Sequence, residues 1–444
     1  MNELKWIDSL GNFTTDLLLL AIGILFFTQR YTGWTILYIL ALLLCIALPV
    51  RILLNIRSGI SSFSSSTLIL ILFNIVFAIT ILLQPLRFLE WAHVFFGWWM
   101  FGNGIIQLVE FYVLIRDQLP GTLPKLLSSI FSLLIAFLMI FGRDLSIKTG
   151  VLSIIAGVYF LMYGVMGMLF HISLIVKRRN PESPSWSYSA PILLNAFFPL
   201  EVYISLRRLE QASKLSPPKS TEHADLYVYT YIKGKGPEAL GHIDLSYKGM
   251  ILSYGNHDPE TRQLVGTLGD GVLIRAKENE FLQESITTDG KTVVRYGIRL
   301  TESQRKALEE RIRKLFARTV PWQCAAEKAY RRGEDMTPYQ DYASRVFRET
   351  FCEMFKFTQG KFRTYFISST NCVLLADELI RNKDLNLIHL NGLVTPGAYL
   401  SFLNTEYLKA DSPVISRTFY KAGVNEPLPD RKPADTVPAQ PYAG

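Results

Sequence analysis

One cysteine and one histidine occupy positions typical of a thiol nucleophile and its base. Cys372 lies in "FISSTNCVLLADELI", residues 366–380, where polar capping residues precede an apolar helical pattern. The N–H groups and the dipole at a helix start stabilise a thiolate. His242 opens the strand-like run "GHIDLSYKGM", residues 241–250. We therefore predict that Cys372 attacks a carbonyl carbon while His242 accepts and returns the proton.

A third polar group should orient the histidine, and the residues leave its identity open. We expect it on the neighbouring strand, in "LSYGNHD", where Ser253 and Asn256 are the main candidates and Tyr254 and His257 are further ones. The backbone N–H of Cys372 is a candidate donor to a developing oxyanion. The alternative is that Cys372 is a buried small hydrophobe, which is the usual role of a lone cysteine.

Strands and helices that could position these residues follow residue 222. Alternation of apolar and polar residues predicts a small antiparallel sheet, with a hairpin turn at Lys248-Gly249. Its strands are "DLYVYTYIKG", "GHIDLSYKG", "MILSYGNHD", "DGVLIRA" and "KTVVRYGIRL". Residues 301–317 predict a helix with a capping box formed by Thr301 and Gln304. Residues 322–360 are expected to be mostly helical, and "TYFI" to be a short strand.

The chain is too long and too unevenly apolar for one soluble domain. It has 444 residues, 49% of them hydrophobic, and most of the apolar runs precede residue 177. A transmembrane helix needs ~20 mostly apolar residues. Six spans are predicted, at about 13–29, 33–53, 66–84, 92–115, 125–142 and 149–176. The expected order is an all-α transmembrane domain (1–179), a juxtamembrane linker (180–221), an α+β domain (222–422) and a disordered proline-rich tail (423–444).

Two glycine pairs suggest duplicated hairpins in the membrane half. Gly97 and Gly104 stand 60 residues before Gly157 and Gly164, and each pair has a spacing that places both glycines on one helix face. With "GWWMFGNGIIQLVEFY", "FLMIFGRD" and "GVLSIIAGVYFLMYGV", residues 10–176 resemble the HdeD-like membrane family. That resemblance implies six helices built as repeated pairs, and no catalytic motif.

Asn103, Gln107 and Glu110 form a polar stripe on one face of a predicted span. Polar groups within a membrane are costly, so a functional stripe is one interpretation. The other is an interhelical hydrogen-bond network in which every member is satisfied. The residues alone leave both interpretations open.

Loop charges predict that both ends of the membrane domain face the cytoplasm. With the N-terminus inside, inner segments carry eight basic residues (Lys5, Arg51, Arg57, Arg116, Lys125, Lys177, Arg178 and Arg179) and outer loops carry four (Arg30, Arg87, Arg143 and Lys148). Residues 191–210 are apolar but interrupted by polar residues and a proline, which predicts an interfacial segment. If that segment crossed the bilayer, the soluble domain would change sides.

Composition excludes several classes of function. The net charge of +8 indicates attraction to anionic lipid, because no basic aromatic stripe or nucleic-acid motif accompanies it. Four widely spaced cysteines form neither a zinc-ligand pattern nor a disulfide framework, so no metal and no other cofactor is expected. The first 16 residues lack a cleavable signal pattern.

The C-terminal half resembles the circularly permuted papain-like hydrolases of the NlpC type, which include lecithin:retinol acyltransferase-like enzymes. It is most similar to a bacterial domain family of unknown function, described as periplasmic. The shared elements, in order, are Gly241-His242, Tyr254-Gly255, Leu300-Thr301 with Gln304 and Leu308, and Asn371-Cys372. The resemblance implies a permuted papain-like fold with Cys372 as nucleophile and His242 as base, and it leaves the third residue open.

Two functions from different classes follow. The first is a membrane-anchored cysteine hydrolase or acyltransferase that acts on an amide or ester through a thioester intermediate. A cytoplasmic site would favour a lipid-linked or peptide substrate, and an outward-facing site would favour peptidoglycan amide bonds. The second is a non-enzymatic membrane stress-response protein whose soluble domain binds a partner. The sequence sets no oligomeric state.

Overall fold

The architecture is taken from a computed structural model that describes residues 17–28, 76, 79–179, 223–232, 241–380, 396–408 and 412–420. The chain divides into two compact units. The first comprises residues 1–111 and 123–188, and the second comprises residues 112–122 and 189–444. The predicted linker, the segment 191–210 and the proline-rich tail lie outside the described residues.

Long apolar helices make up the described part of the first unit. They are α1 (Leu17–Thr28), α2 (Pro85–Arg116), α3 (Thr122–Phe141) and α4 (Leu145–Arg179). Within the described residues, three helices are long and apolar enough to cross a membrane: Arg87–Arg116, Thr122–Phe141 and Leu145–Met162. They correspond to the last three predicted spans. The first predicted span contains the shorter α1, while 33–53 and most of 66–84 lie outside the described residues.

Small residues bring these helices together, as the glycine pattern predicts. A Cβ atom built on Gly97 would lie 2.7 Å from Cγ1 of Ile140, and one on Gly104 would lie 2.8 Å from Cγ of Leu133. Both contacts join α2 to α3. At Gly157 of α4 a Cβ atom would lie 2.7 Å from the ring of Phe27 in α1. The absence of a side chain is therefore what allows the close approach at each position.

The polar stripe on α2 is engaged by α3. The Lys125 ammonium lies 2.6 Å from Oε2 of Glu110. Gln107 donates from Nε2 to Oγ of Ser132 across 3.4 Å. Glu110 and Gln107 therefore have interhelical partners, although Oε1 of Gln107 is buried without a hydrogen bond, so the network is not fully satisfied.

An eight-stranded antiparallel sheet forms the centre of the second unit. Its strand order is β10-β6-β1-β2-β3-β5-β8-β7. The strands are β1 (Leu226–Ile232), β2 (His242–Tyr247), β3 (Met250–Gly255), β5 (Val272–Lys277), β6 (Thr292–Ile298), β7 (Thr319–Pro321), β8 (Glu353–Phe357) and β10 (Val414–Tyr420). A separate antiparallel pair joins β4 (Leu268–Asp270) to β9 (Thr364–Phe366). The predicted β2–β3 hairpin is present, and Lys248 and Gly249 both have the positive φ that its two-residue turn requires.

Helices cover both faces of the sheet and enclose two apolar clusters. On one face pack α6 (Glu302–Phe316), α9 (Cys372–Ile380) and α10 (Pro396–Leu408). On the other face pack α5 (Glu278–Thr287), α7 (Ala325–Arg331) and α8 (Tyr342–Thr350). Alternation along β2 explains the split, because Ile243 and Leu245 join the first cluster while Asp244 points to the opposite face. His242 points to that face too, but it is the first residue of its strand and there interacts with Cys372, the first residue of α9.

Local signals correctly predicted several elements and missed others, among them β8. The capping box at Thr301 is confirmed, since its hydroxyl accepts from the N–H of Gln304 and the Gln304 side chain accepts from the N–H of Thr301. The "TYFI" strand is confirmed as β9. The prediction that 322–360 is mostly helical is wrong, because only α7 and α8 are helical in that range. Residues 353–357 form β8, which is hydrogen-bonded between β5 and β7.

Candidate active site

Cys372 is the first residue of α9, immediately after a built N-terminal cap. The side chain of Asn371 accepts a hydrogen bond from the N–H of Leu374 at 3.1 Å and donates to the carbonyl oxygen of Ile367 at 2.9 Å. The capping residues thus place Cys372 in the first turn, as predicted. There the N–H groups have no carbonyl partner within the helix, so they favour a thiolate or an oxyanion beside them.

His242 meets the Cys372 thiol and is held from its other side. The ring atom Nε2 lies 2.8 Å from Oδ1 of Asp244 and 3.0 Å from Oγ of Ser253. Because Nε2 is engaged by these two groups, Nδ1 is the ring nitrogen that remains available to the Cys372 thiol. His242 and Cys372 are each the first residue of their element, and α9 packs against β2 and β3. Gly241 precedes the histidine with φ +84°, a left-handed conformation that glycine adopts without strain.

The electrostatic surroundings favour a protonated His242. Burial lowers the pKa of its ring, but the charges of Asp244 and the Cys372 thiolate, and hydrogen bonds to both, raise that pKa to about 10. About a quarter of the His242 side chain is exposed, whereas the Asp244 side chain is fully buried. A protonated His242 ring beside the Cys372 thiol, anchored by a buried carboxylate, is therefore the arrangement that this geometry supports.

Asp244 is the residue that the sequence interpretation missed. It stands two positions after His242 on β2, so the period of two places both side chains on the same face. The sequence predicts the third group on the next strand, where Ser253 does contact His242. The alternation of residues within "GHIDLSY" already indicates that Asp244 shares a strand face with His242. Tyr231 is buried on the adjacent strand, and burial together with the charge of Asp244 raises the pKa of its phenol.

Asn256, the other candidate third residue, is engaged elsewhere. Its Nδ2 donates to the carbonyl oxygens of Gly266 at 3.1 Å and Leu268 at 3.0 Å. It therefore holds the turn that leads into β4. His257 packs against the tilted ring of Tyr342 with 4.8 Å between centroids, and burial and the charge on His242 lower its pKa well below the usual range. A neutral His257 does not compete with His242 for a proton.

Two tyrosines line the other side of the nucleophile. Burial, followed by the charge on Cys372, raises the pKa of Tyr365. The ring of Tyr254 lies 5.7 Å from that of Tyr365, and the Tyr254 hydroxyl donates to the carbonyl oxygen of Phe362 at 2.9 Å. Tyr254 is thus committed to a backbone contact and is not a partner of His242.

The remaining described cysteines differ from Cys372. Burial raises the pKa of Cys324 and raises that of Cys352 to about 12, so both thiols are held neutral. All three described cysteines are free thiols. Among the residues that the structure describes, no group of three or more His, Cys, Asp or Glu side chains could hold a metal ion.

Comparison with known proteins identifies one segment of the chain. Residues 69–141, which include the α2–α3 hairpin, match the family model described as a short repeat of unknown function (DUF308), a membrane-associated, HdeD-like family. No curated protein and no solved structure matches the chain. The match covers well under half of the sequence, and with the three apolar helices it supports a membrane protein whose N-terminal part contains a DUF308 repeat.

Proposed function

We propose that this protein is a membrane-anchored cysteine hydrolase or acyltransferase acting on an amide or ester. The observation that supports it most directly is the contact of His242 with both the helix-borne Cys372 thiol and the buried Asp244 carboxylate. Nucleophile, base and orienting group are the minimum set for thiol catalysis. A permuted papain-like fold for the second unit belongs to the same proposal.

The chemistry proceeds in two steps. In the first, the Cys372 thiolate attacks the carbonyl carbon, and the oxyanion lies near the N–H groups that begin α9. His242 gives its proton to the leaving amine or alcohol as the carbonyl–heteroatom bond breaks, which leaves an acyl thioester. In the second, His242 takes a proton from water or an acceptor, that nucleophile attacks the thioester, and the thiolate is regenerated. Asp244 stabilises the imidazolium in both steps.

A cytoplasmic location of the site is part of the proposal. Loop charges support it, with eight basic residues inside against four outside. The hydrogen bonds of Arg116 and Asp117 within the second unit agree with it. Two candidate spans, α3 and α4, separate residue 117 from the rest of that unit, and two crossings return a chain to the same side. A lipid-linked or peptide substrate is therefore favoured over one outside the membrane.

Acyl-enzyme trapping tests the function. The full-length protein in membranes is incubated with an acyl thioester and with a lipid-linked amide, and Cys372 peptides are analysed by mass spectrometry. We expect an acyl adduct on Cys372 that disappears in Cys372→Ala and in His242→Ala. Cys352→Ala is the matched control, because that thiol is buried and neutral. An adduct that forms equally well without His242, or a Cys372 thiol as unreactive as Cys352, contradicts the proposal.

A further inference from the structure

A short segment that follows a membrane helix is built into the second unit. Residues 112–122, which are the last residues of α2, the loop after it and the first residue of α3, belong to that unit. Asp117 is 3% exposed, and its carboxylate accepts two hydrogen bonds from one residue of β9. The N–H of Thr364 donates to Oδ2 at 3.1 Å, and the Thr364 hydroxyl donates to Oδ1 at 2.7 Å. Beside them, Arg363 donates from Nη1 to the carbonyl oxygen of Arg116 at 2.8 Å.

From Thr364 the contacts lead directly to the nucleophile. The Thr370 hydroxyl donates to the carbonyl oxygen of Thr364 at 2.7 Å and accepts from the N–H of Phe366 at 2.9 Å. This closes the turn between β9 and α9. Asn371, the next residue, caps the helix that begins with Cys372. Asp117 is thus linked to the start of α9 through two threonines.

The partner strand of β9 is fixed from the same segment. Arg116 forms an ion pair with Asp270 at the end of β4. The other oxygen of Asp270 lies 2.8 Å from the ammonium of Lys356, which also lies 2.6 Å from Asp258. Two adjacent residues of one segment therefore hold both strands of the β4–β9 pair, one by an ion pair and one by two hydrogen bonds to a buried carboxylate.

We propose that Asp117 is a positioning residue for the Cys372 nucleophile. By fixing Thr364 it sets the path of β9 and hence the point at which α9 begins, so that the thiol meets His242. The inference rests on the proposed function. A displacement of about 1 Å at a reacting group is enough to lower a rate ~100-fold. It also means that residues 222–422 expressed alone lack a part of the site.

The test measures how fast iodoacetamide alkylates Cys372 at pH 6 in the full-length protein in detergent, read by peptide mass spectrometry. The variants are Asp117→Asn, Thr364→Val and Thr364→Ser, and the control is Glu334→Gln, which removes an exposed partner of Arg332. We expect Asp117→Asn and Thr364→Val to slow alkylation at least tenfold and to shift its pH profile upward. Thr364→Ser keeps the hydroxyl and should react like wild type, as should the control.

Thermal midpoints of the same samples separate positioning from folding. A merely structural Asp117 would lower the midpoint and leave the pH profile of the folded fraction unchanged, and that result overturns the inference. Should Asp117→Asn fail to fold, the Thr364→Val and Thr364→Ser pair decides the question in the same way. If His242→Ala slows alkylation and neither Asp117→Asn nor Thr364→Val does, only this inference fails. If His242→Ala has no effect, the proposed function fails with it.

Discussion

Replacing Asp244 with asparagine tests the electrostatic basis of the site. The substitution keeps the size of the side chain and removes the charge that lies 2.8 Å from Nε2 of His242. A hydrogen bond to a charged group contributes ~1.5–3 kcal/mol. Since ~1.4 kcal/mol corresponds to a factor of ten, protonation of His242 should become roughly 10- to 100-fold less favourable.

The assay is the pH dependence of Cys372 alkylation by iodoacetamide, followed on the Cys372 peptide. At pH 6 the Asp244→Asn rate should fall by that factor, because only the thiolate reacts. Above pH ~9 the two proteins should converge, since an ordinary thiol is then ionised as well. Ser253→Ala is the graded control. It removes a neutral partner of His242 at 3.0 Å and should lower the alkylation rate less than Asp244→Asn does, because a neutral hydrogen bond contributes only ~0.5–1.5 kcal/mol.

A rate at pH 6 that is unchanged in Asp244→Asn would refute this reasoning. It would mean that the carboxylate does not stabilise the imidazolium. A larger loss in Ser253→Ala than in Asp244→Asn would instead make the serine the orienting group, which is one of the assignments that the sequence allowed.

Three further predictions concern stability and packing. The folded-state pKa of His242 is raised to about 10, so its contribution to stability is complete below its unfolded pKa of ~6.5 and is lost as pH rises toward 10. The difference in thermal midpoint between wild type and His242→Gln should therefore shrink over that pH range. A constant difference would contradict this prediction. Burial, then the charge of Asp289, raises the pKa of Glu284 to about 7, so ionisation of Glu284 destabilises the fold as pH rises from ~4.3 to 7. In chemical unfolding, Glu284→Gln should therefore raise the free energy of unfolding by up to about 3 kcal/mol at pH 8 and leave it unchanged at pH 4. Equal increases at both pH values would contradict this prediction. Gly104→Ala should lower stability by about 1–3 kcal/mol through overpacking, read as a lower thermal midpoint in detergent. Gly102 faces open space, so Gly102→Ala should not lower the midpoint. Equal decreases in both variants would argue against close helix contact at Gly104.

Local patterns predicted much of the second unit correctly. The hairpin at Lys248 and Gly249, the capping box at Thr301 and the helix start at Cys372 all depend on contacts within a few residues. The strand at 353–357 was missed because its sequence is short, and its identity depends on hydrogen bonds to β5 and β7, which lie elsewhere in the chain.

At the candidate site, the local pattern was used incompletely. His242 and Asp244 share a strand face by simple alternation, so the carboxylate could have been found from the sequence. Asn256 was equally plausible by its place on the neighbouring strand. Its bonds to Gly266 and Leu268 depend on how the following turn folds back, which no short-range rule specifies.

By itself the sequence determined the apolar helical region and the sheet-rich region after it, the capped helix that starts at Cys372, and the strand that starts at His242. Each is set by periodicity or capping within about ten residues. Only the tertiary structure decided which groups meet. It joined Cys372 to His242, 130 positions earlier, and placed Asp117 against Thr364, 247 positions later. Contacts of such separation depend on how whole elements pack, and no local propensity encodes that packing.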